Sequence, residues 1–344
     1  MSTSSKQVIS EMKRVLCLAI LLMLMLCGCG GTDVSAFAPE DSQRLVVYTS
    51  HKEEVYGPIV KEFQQRTGIW VEVVTGGSNE LLERIALESE KPVCDLMFGG
   101  GVESLAAYEG CFEPCTPEGV EFLRGVGLSE DNLWTPFSSL PLVLIYNTRL
   151  VSEDEISGWA DLLNPRWKGR IAFTDPTVSG SSYTAALTLF SCIEGDDWDI
   201  LARLVENLDG GALSDSGDVV ESVRSGSRYI GVTLEETALK WHVPEVGIVY
   251  PAEGTSAVPD GCALIKGARH PENARAFLDF VLSRDVQALL VSDLSRRSVR
   301  TDVHAPEDLP SEAELGIIDY DVHWASSIKE EFIARWTELC GVTS

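Results

Sequence analysis

Basic side chains are scarce in this chain: 27 Lys and Arg stand against 53 Asp and Glu, a formal net charge of −26 at pH 7. Nucleic-acid binding needs basic stripes to neutralise phosphates, so that class is excluded. Histidine is rarer still, with five in 344 residues, which leaves few general bases. No G-x-S-x-G elbow occurs; Gly180-Ser181-Ser182-Tyr183-Thr184 approaches one but ends in Thr. Cys111-x-x-x-Cys115 has no second Cys or His pair beside it, so a zinc-type ligand set is lacking. Long apolar runs are missing too, apart from 15–26, which falls short of the roughly 20 residues that span a bilayer.

That run has the flanks of an export leader. Lys6, Lys13 and Arg14 precede it, and Leu26-Cys27-Gly28-Cys29 closes it with Leu at minus three and Gly at minus one from Cys29. This is the pattern of a bacterial lipoprotein signal over 1–28, with Cys29 lipidated and placed on the extracytoplasmic face of the cell membrane. Residues 29–43 carry little to bury and read as a flexible tether. Three cations and Glu11 leave with the leader, so the mature charge moves from −26 to −28. Six cysteines follow Cys29. Cys94 and Cys262 sit in apolar contexts and read as buried thiols, and Cys111 with Cys115 is open to a local disulfide.

The remaining 300 or so residues suit two lobes. Strand-length apolar runs fall at 45–48, 70–74, 95–98, 142–146, 171–173, 229–232, 247–250 and 262–265, alternating with helical patterns. This is α/β rhythm with largely parallel sheets expected. Tyr56, Ile59, Val60 and Phe63 mark one amphipathic helix, with Ser50 and Glu53 spaced as a capping box and Gly68 past its end. Asp218 and Glu221 are spaced as another box. Trp70, Trp134, Trp159, Trp167 and Trp241 read as core or hinge packing. Segments 140–147 and 247–256 are the candidates for strands crossing between lobes, which gives a hinge and an interlobe cleft.

In open α/β sheets ligands sit beyond the carboxyl ends of strands, where helix-start amides point outward. The residues there are small and hydroxylic: Thr49, Ser50 and His51; Gly77 and Ser78; Ser139; Ser179, Gly180, Ser181 and Ser182; Ser216. Such residues also cap helices whether or not anything binds, so convergence of several loops is the test. Ser179-Gly180-Ser181-Ser182 is the best cradle for a tetrahedral anion, since it lacks bulk and introduces a helix. Glu235 and Glu236 follow a strand and offer carboxylates to ligand hydroxyls. No catalytic residue, metal site or cofactor is expected.

These segments resemble a known family. Val47-Tyr48-Thr49-Ser50-His51-Lys52-Glu53, Thr67-Gly68-Ile69-Trp70-Val71, Trp134-Thr135-Pro136-Phe137-Ser138, Trp167-Lys168-Gly169-Arg170-Ile171-Ala172-Phe173, Pro251-Ala252-Glu253-Gly254-Thr255-Ser256 and Arg296-Arg297-Ser298-Val299-Arg300 are similar to bacterial extracellular solute-binding proteins of ABC importers. The branch is that of ferric-ion, hexose-phosphate and aminoethylphosphonate receptors. The resemblance implies an α/β, two-lobed periplasmic-binding-protein fold of type 2 with two crossing hinge strands and an interlobe cleft. It implies an N-terminal lobe over 44–141 and about 262–312, and a C-terminal lobe over about 142–261 and 313–344. Ferric receptors of the branch use a His after the first strand, a Glu after the third and two adjacent Tyr. His51 matches the first, but Phe98-Gly99-Gly100-Gly101 and Glu235-Glu236 stand where the others are expected. The phosphate segment resembles Thr177-Val178-Ser179-Gly180-Ser181, so the resemblance implies an organophosphate receptor.

The expectation is a lipid-anchored, monomeric receptor that closes on a small phosphorylated or phosphonate solute and delivers it to an ABC permease. A cationic solute such as a polyamine or thiamine, held by Glu235, Glu236, Asp218 and Glu253, is the alternative, as is ferric ion. An exported hydrolase is the alternative of another class, with His51 as its only candidate base in a site loop. Spacing leaves open whether Arg296, Arg297 and Arg300 reach the cleft.

Overall fold

Period-two alternation sorts the apolar residues of the central strands on to opposite faces, and two sheets result. The computed structural model describes residues 39–124, 128–241, 243–305 and 309–341. The leader, Cys29 and most of the tether lie outside them. The chain forms two units, Met1–Asp41 and Ser42–Ser344, and the second carries every element named below.

Its strands are β1 (Arg44–Thr49), β2 (Trp70–Thr75), β3 (Leu96–Gly101), β4 (Thr135–Ser139), β5 (Leu142–Asn147), β6 (Ile171–Ala172), β7 (Ile230–Leu234), β8 (Val246–Val249), β9 (Asp260–Leu264) and β10 (Arg297–Ser298). Its helices are α1 (Glu53–Thr67), α2 (Ser78–Leu87), α3 (Val102–Ala106), α4 (Gly180–Cys192), α5 (Asp197–Leu208), α6 (Asp218–Arg224), α7 (Glu235–Trp241), α8 (Pro271–Leu282), α9 (Arg284–Leu294), α10 (Glu312–Leu315), α11 (Val322–Ser327) and α12 (Lys329–Leu339). One sheet has the order β10-β4-β9-β3-β1-β2 and the other β6-β7-β5-β8.

Each sheet is buried on both faces. Leu45, Val47, Leu96 and Phe98 join one core with Phe63 and Phe277, while Tyr48 and Met97 point the other way to Leu81, Leu82 and Leu105. On β5, Leu142, Leu144 and Tyr146 face one core, and Val143 and Ile145 face the other. Strands buried on both faces read as continuous apolar runs in either orientation. That is why the expected largely parallel sheets are mixed instead. Only β1·β2, β1·β3 and β6·β7 run parallel among the described residues, and the other named pairings are antiparallel.

The chain crosses from the first sheet to the second at Leu140-Pro141 and returns between β8 and β9. The two crossings are tied together, Leu142 N donating to Ser256 O at 3.1 Å and Thr255 Oγ1 to Leu142 O at 2.8 Å. The carboxyl-terminal helix α12 seals the core of the second sheet with Phe332 and Trp336. Phe332 meets the Tyr183 ring edge-on at 5.0 Å.

Other local expectations fare unevenly. Gly68 ends α1 in the left-handed conformation (φ 73°), as its position requires. Ser50 does not cap α1, whose cap is Lys52 with no side-chain bond. Asp218 lies inside α6 rather than capping it, and Glu221 bonds Arg224 instead. Trp134, Trp159 and Trp167 are core, but Trp70 and Trp241 are 53% and 39% exposed. Cys111 and Cys115 are free thiols, not a disulfide.

Phe332→Ala removes a fully buried ring and is expected to cost about 3–5 kcal/mol, measured by urea unfolding. A loss below about 1 kcal/mol would show that α12 does not anchor this core.

Candidate ligand-binding cleft

Between the sheets lies a cleft of about 370 Å³, which shares Ser50, His51, Ser181, Ser216, Leu234 and Arg296 with an adjoining cavity of about 530 Å³. One wall is the start of α4. Ser179 caps it, its Oγ accepting from Ser182 N at 3.3 Å and lying 3.1 Å from Ser181 Oγ. Tyr183 N bonds Ser179 O. The amides of Gly180 and Ser181 have no acceptor among the described residues, and a side chain built on Gly180 would meet nothing within 4 Å. Free amides at a helix start carry roughly half a positive charge and point at whatever fills the space. Across the cleft α2 begins at Ser78 behind Gly77, and both residues line the cavity.

The three glycines ending β3 let this wall close up. Gly99 has φ 106°, and a Cβ there would lie 2.9 Å from Ser50 Oγ and 3.0 Å from His51 Nε2. At Gly101 a Cβ would lie 2.5 Å from Glu103 Oε2, because that side chain folds back over the backbone. Glu103 is 1% exposed. Its Oε1 accepts from Thr184 Oγ1 at 2.7 Å, while its Oε2 has no partner. Burial lifts its pKa above the usual carboxylate range, offset in part by the Thr184 bond.

His51 is held by its own loop, its N–H donating to Thr49 Oγ1 at 3.1 Å, and its ring meets Phe98 edge-on at 4.6 Å. Nε2 stands 3.5 Å from Asp260 Oδ2 and has no hydrogen-bond partner. Burial pulls the imidazole pKa down to about 4, despite the upward pull of Asp260, and Arg296 adds to the depression. Asp260 is itself taken: Ser138 N and Oγ donate to Oδ1 at 2.8 and 2.7 Å, and Arg296 Nη1 to Oδ2 at 2.6 Å. Arg296 then reaches from the first sheet to Glu236 on α7, Nη2 to Oε1 at 3.3 Å.

Of the residues expected from sequence, Ser50, His51, Gly77, Ser78, Ser179, Gly180, Ser181, Ser216 and Glu236 line the cavity. Thr49, Ser139, Ser182 and Glu235 do not. Thr49 donates to Phe98 O at 2.6 Å and sets the loop from behind. Ser139 is paired within the sheet opposite Arg297. Ser182 offers an amide that Ser179 already caps. Glu235 is clamped by Arg297, Nε to Oε2 at 2.6 Å and Nη2 to Oε1 at 2.8 Å, and accepts from Tyr250 at 2.8 Å.

Glu103, Thr184 and Asp260 line the cleft without having been assigned to it; Thr174 and Asp215, from loops expected to face it, and Arg296, left open by spacing, line it as well. Asp260 gave a signal, a charge opening an apolar strand. Glu103 gave a weaker one, two residues beyond a glycine triplet that itself holds no carboxylate. Thr174 Oγ1 is buried without a partner. Of the carboxylates assigned to a cationic solute, Asp218 does not line the cleft, and Glu253 accepts from the amides of Trp159 and Ala160. Arg297 and Arg300 do not line it either, Arg300 being bound to Asp302.

Residues 91–323 match the family described as bacterial extracellular solute-binding protein. Iron uptake protein A1 of Synechocystis sp. is 27% identical over 294 residues, covering 79% of this chain and 80% of that protein. A putative 2-aminoethylphosphonate-binding periplasmic protein of Salmonella typhimurium is 28% identical over 298 residues, covering 80% and 85%. Among solved structures, the periplasmic binding protein AfuA of Actinobacillus pleuropneumoniae, with exogenous fructose-6-phosphate bound, superposes with a TM-score of 0.78 over 87% of this chain and 99% of that one. At 24% identity that match shows the two-lobed fold alone.

The depressed His51 pKa has a stability consequence. The native imidazole takes its proton near pH 4 and the unfolded one near 6.5, so the unfolded chain binds more protons between those values. Stability therefore rises with pH through that window. His51→Gln is expected to remove up to about 3 kcal/mol of this pH dependence, measured by urea unfolding at pH 4.5 and 7. An unchanged pH dependence would place the burden on other groups.

Proposed function

The chain belongs to the bacterial extracellular solute-binding proteins, the receptors of ABC importers, and on that premise we propose that its cleft closes on a small solute carrying a phosphate or phosphonate group. The family consists of solute-binding proteins rather than enzymes and works outside the cytoplasm with a membrane permease as partner. In this proposal Cys29 anchors a monomeric chain by lipid. The halves that close are 44–141 with about 262–312, and about 142–261 with 313–344.

The carrying observation is the start of α4, where two unpartnered amides and the hydroxyls of Ser179 and Ser181 face the cavity. Arg296 is flanked by Asp260 and Glu236, which engage both of its Nη atoms and leave only the buried Nε without a partner. An anion would thus be held by amides, hydroxyls and a helix dipole. A hydrogen bond to a charged group contributes roughly 1.5–3 kcal/mol. A few of them in a closed cleft reach the roughly 8 kcal/mol of micromolar affinity.

Ferric ion is a second reading, favoured by the unpartnered His51 Nε2. Against it, no group of three or more His, Cys, Asp or Glu among the described residues is arranged to hold a metal. No tyrosine lines the cleft, and Glu235 and Glu236, in the place of the expected tyrosine pair, are both held by arginines.

Native mass spectrometry of the purified protein is expected to show a bound phosphorus-containing solute. Ser181→Asp, which puts a carboxylate against the free amides, is expected to weaken its retention by at least about 100-fold, or about 2.7 kcal/mol. Recovery of ferric ion, with no phosphorus compound raising the melting temperature, would overturn the proposal.

A further inference from the structure

Carboxylates outnumber cations along the cleft. Glu103, Asp215, Glu236 and Asp260 line it. Arg296 is shared between Asp260 and Glu236, which leaves one negative charge over, and His51 is neutral near pH 7. Lys52 and Lys240 line the adjoining cavity, where Lys240 pairs with Glu54. A simple anion seated at the start of α4 would face more carboxylates than basic side chains in the cleft wall.

Glu103 is the sharpest case. Its carboxyl is buried and lines the cavity, and only Oε1 is engaged, by Thr184. Lys329 acts on it as a counter-charge from within the fold, but its Nζ is bonded to Asn79 Oδ1 at 2.9 Å and Ser104 Oγ at 3.1 Å rather than to the carboxyl. Thr184 follows Gly180 by one turn of α4, its Oγ1 lying 3.1 Å from Gly180 O. The contact with Glu103 therefore sits about 5.4 Å along the helix from the free amides, a separation that a chain of two or three carbons spans.

We infer that Glu103 is the specificity-determining residue of the cleft: its free Oε2 accepts from an ammonium group that the solute carries close to its phosphate or phosphonate, so the receptor selects zwitterionic solutes over simple anions. This rests on the phosphate or phosphonate reading of the same site. The Oε1 bond to Thr184 keeps the carboxyl fixed over Gly101, so the acceptor is in place before the solute arrives.

Isothermal titration with a matched set of probes tests it: 2-aminoethylphosphonate, ethylphosphonate, fructose-6-phosphate and inorganic phosphate. The wild-type chain is expected to bind 2-aminoethylphosphonate at least about tenfold more tightly than ethylphosphonate, a difference of about 1.4 kcal/mol. Glu103→Gln keeps the size of the side chain and an oxygen for Thr184. It is expected to remove that preference, so that the two probes bind with about equal affinity. Thr184→Val releases the carboxyl from its side-chain hydrogen bond and is expected to lower the preference without abolishing it. A Glu103→Gln variant that retains the preference, or weakens both probes equally, overturns the assignment of Glu103. So does a wild-type chain that favours fructose-6-phosphate or inorganic phosphate over 2-aminoethylphosphonate. If none of the four probes binds, the phosphate or phosphonate reading itself falls, and this inference with it.

Discussion

Two neighbouring arginines on the edge of one sheet grip two neighbouring glutamates at the start of a helix on the other. Arg296 holds Glu236 and Arg297 holds Glu235. Both guanidinium groups are buried, and removing one partner of such a pair typically costs about 3–5 kcal/mol by stranding the other charge. The cleft takes its shape from this double pairing. It takes its chemistry from it as well, because the arginines nearest the cavity are neutralised before a solute enters. In the proposed function, recognition of an anion is left largely to amides and hydroxyls that carry no formal charge.

The same network decides the state of His51. Burial dominates the imidazole; Asp260, which stands beside it and is already bound to Arg296 and Ser138, offsets only part of the cost of burying a protonated ring, and Arg296 adds to that cost. Glu103 and Thr184 make a second contact between the halves, and Lys240 with Glu54 makes a third beside the adjoining cavity. The halves thus meet across the cavity as well as through the hydrogen-bonded crossing segments. A solute that touches both halves favours this arrangement by its differential affinity for it.

Much of this was legible in the amino-acid order. Gly68 at its helix end, the crossing segments and the placing of Ser179 to Ser181 at a helix start on the cleft were readable because each depends on neighbours a few residues away. What escaped depends on distant partners. Glu235 looked like a cleft carboxylate, and only Arg297, 62 positions on, removes it. β4, with its sequence Thr-Pro-Phe-Ser-Ser, has no apolar periodicity yet is wholly buried, because Asp260 and Gln287 satisfy it from other parts of the chain. Glu103 was hidden by its backward fold over Gly101, a conformation that spacing does not reveal. Strand direction was misjudged because a run buried on both faces carries no mark of its neighbours' orientation.

A crystal structure with a small organophosphonate bound measures the central claim most directly, since it locates the phosphorus relative to α4. The account predicts phosphonate oxygens within hydrogen-bond reach, about 3 Å, of the amides of Gly180 and Ser181, with the Arg296–Asp260–Glu236 network undisturbed. A phosphonate held instead by Arg296 released from its carboxylates, or a solute bound with those two amides left facing water, would contradict it.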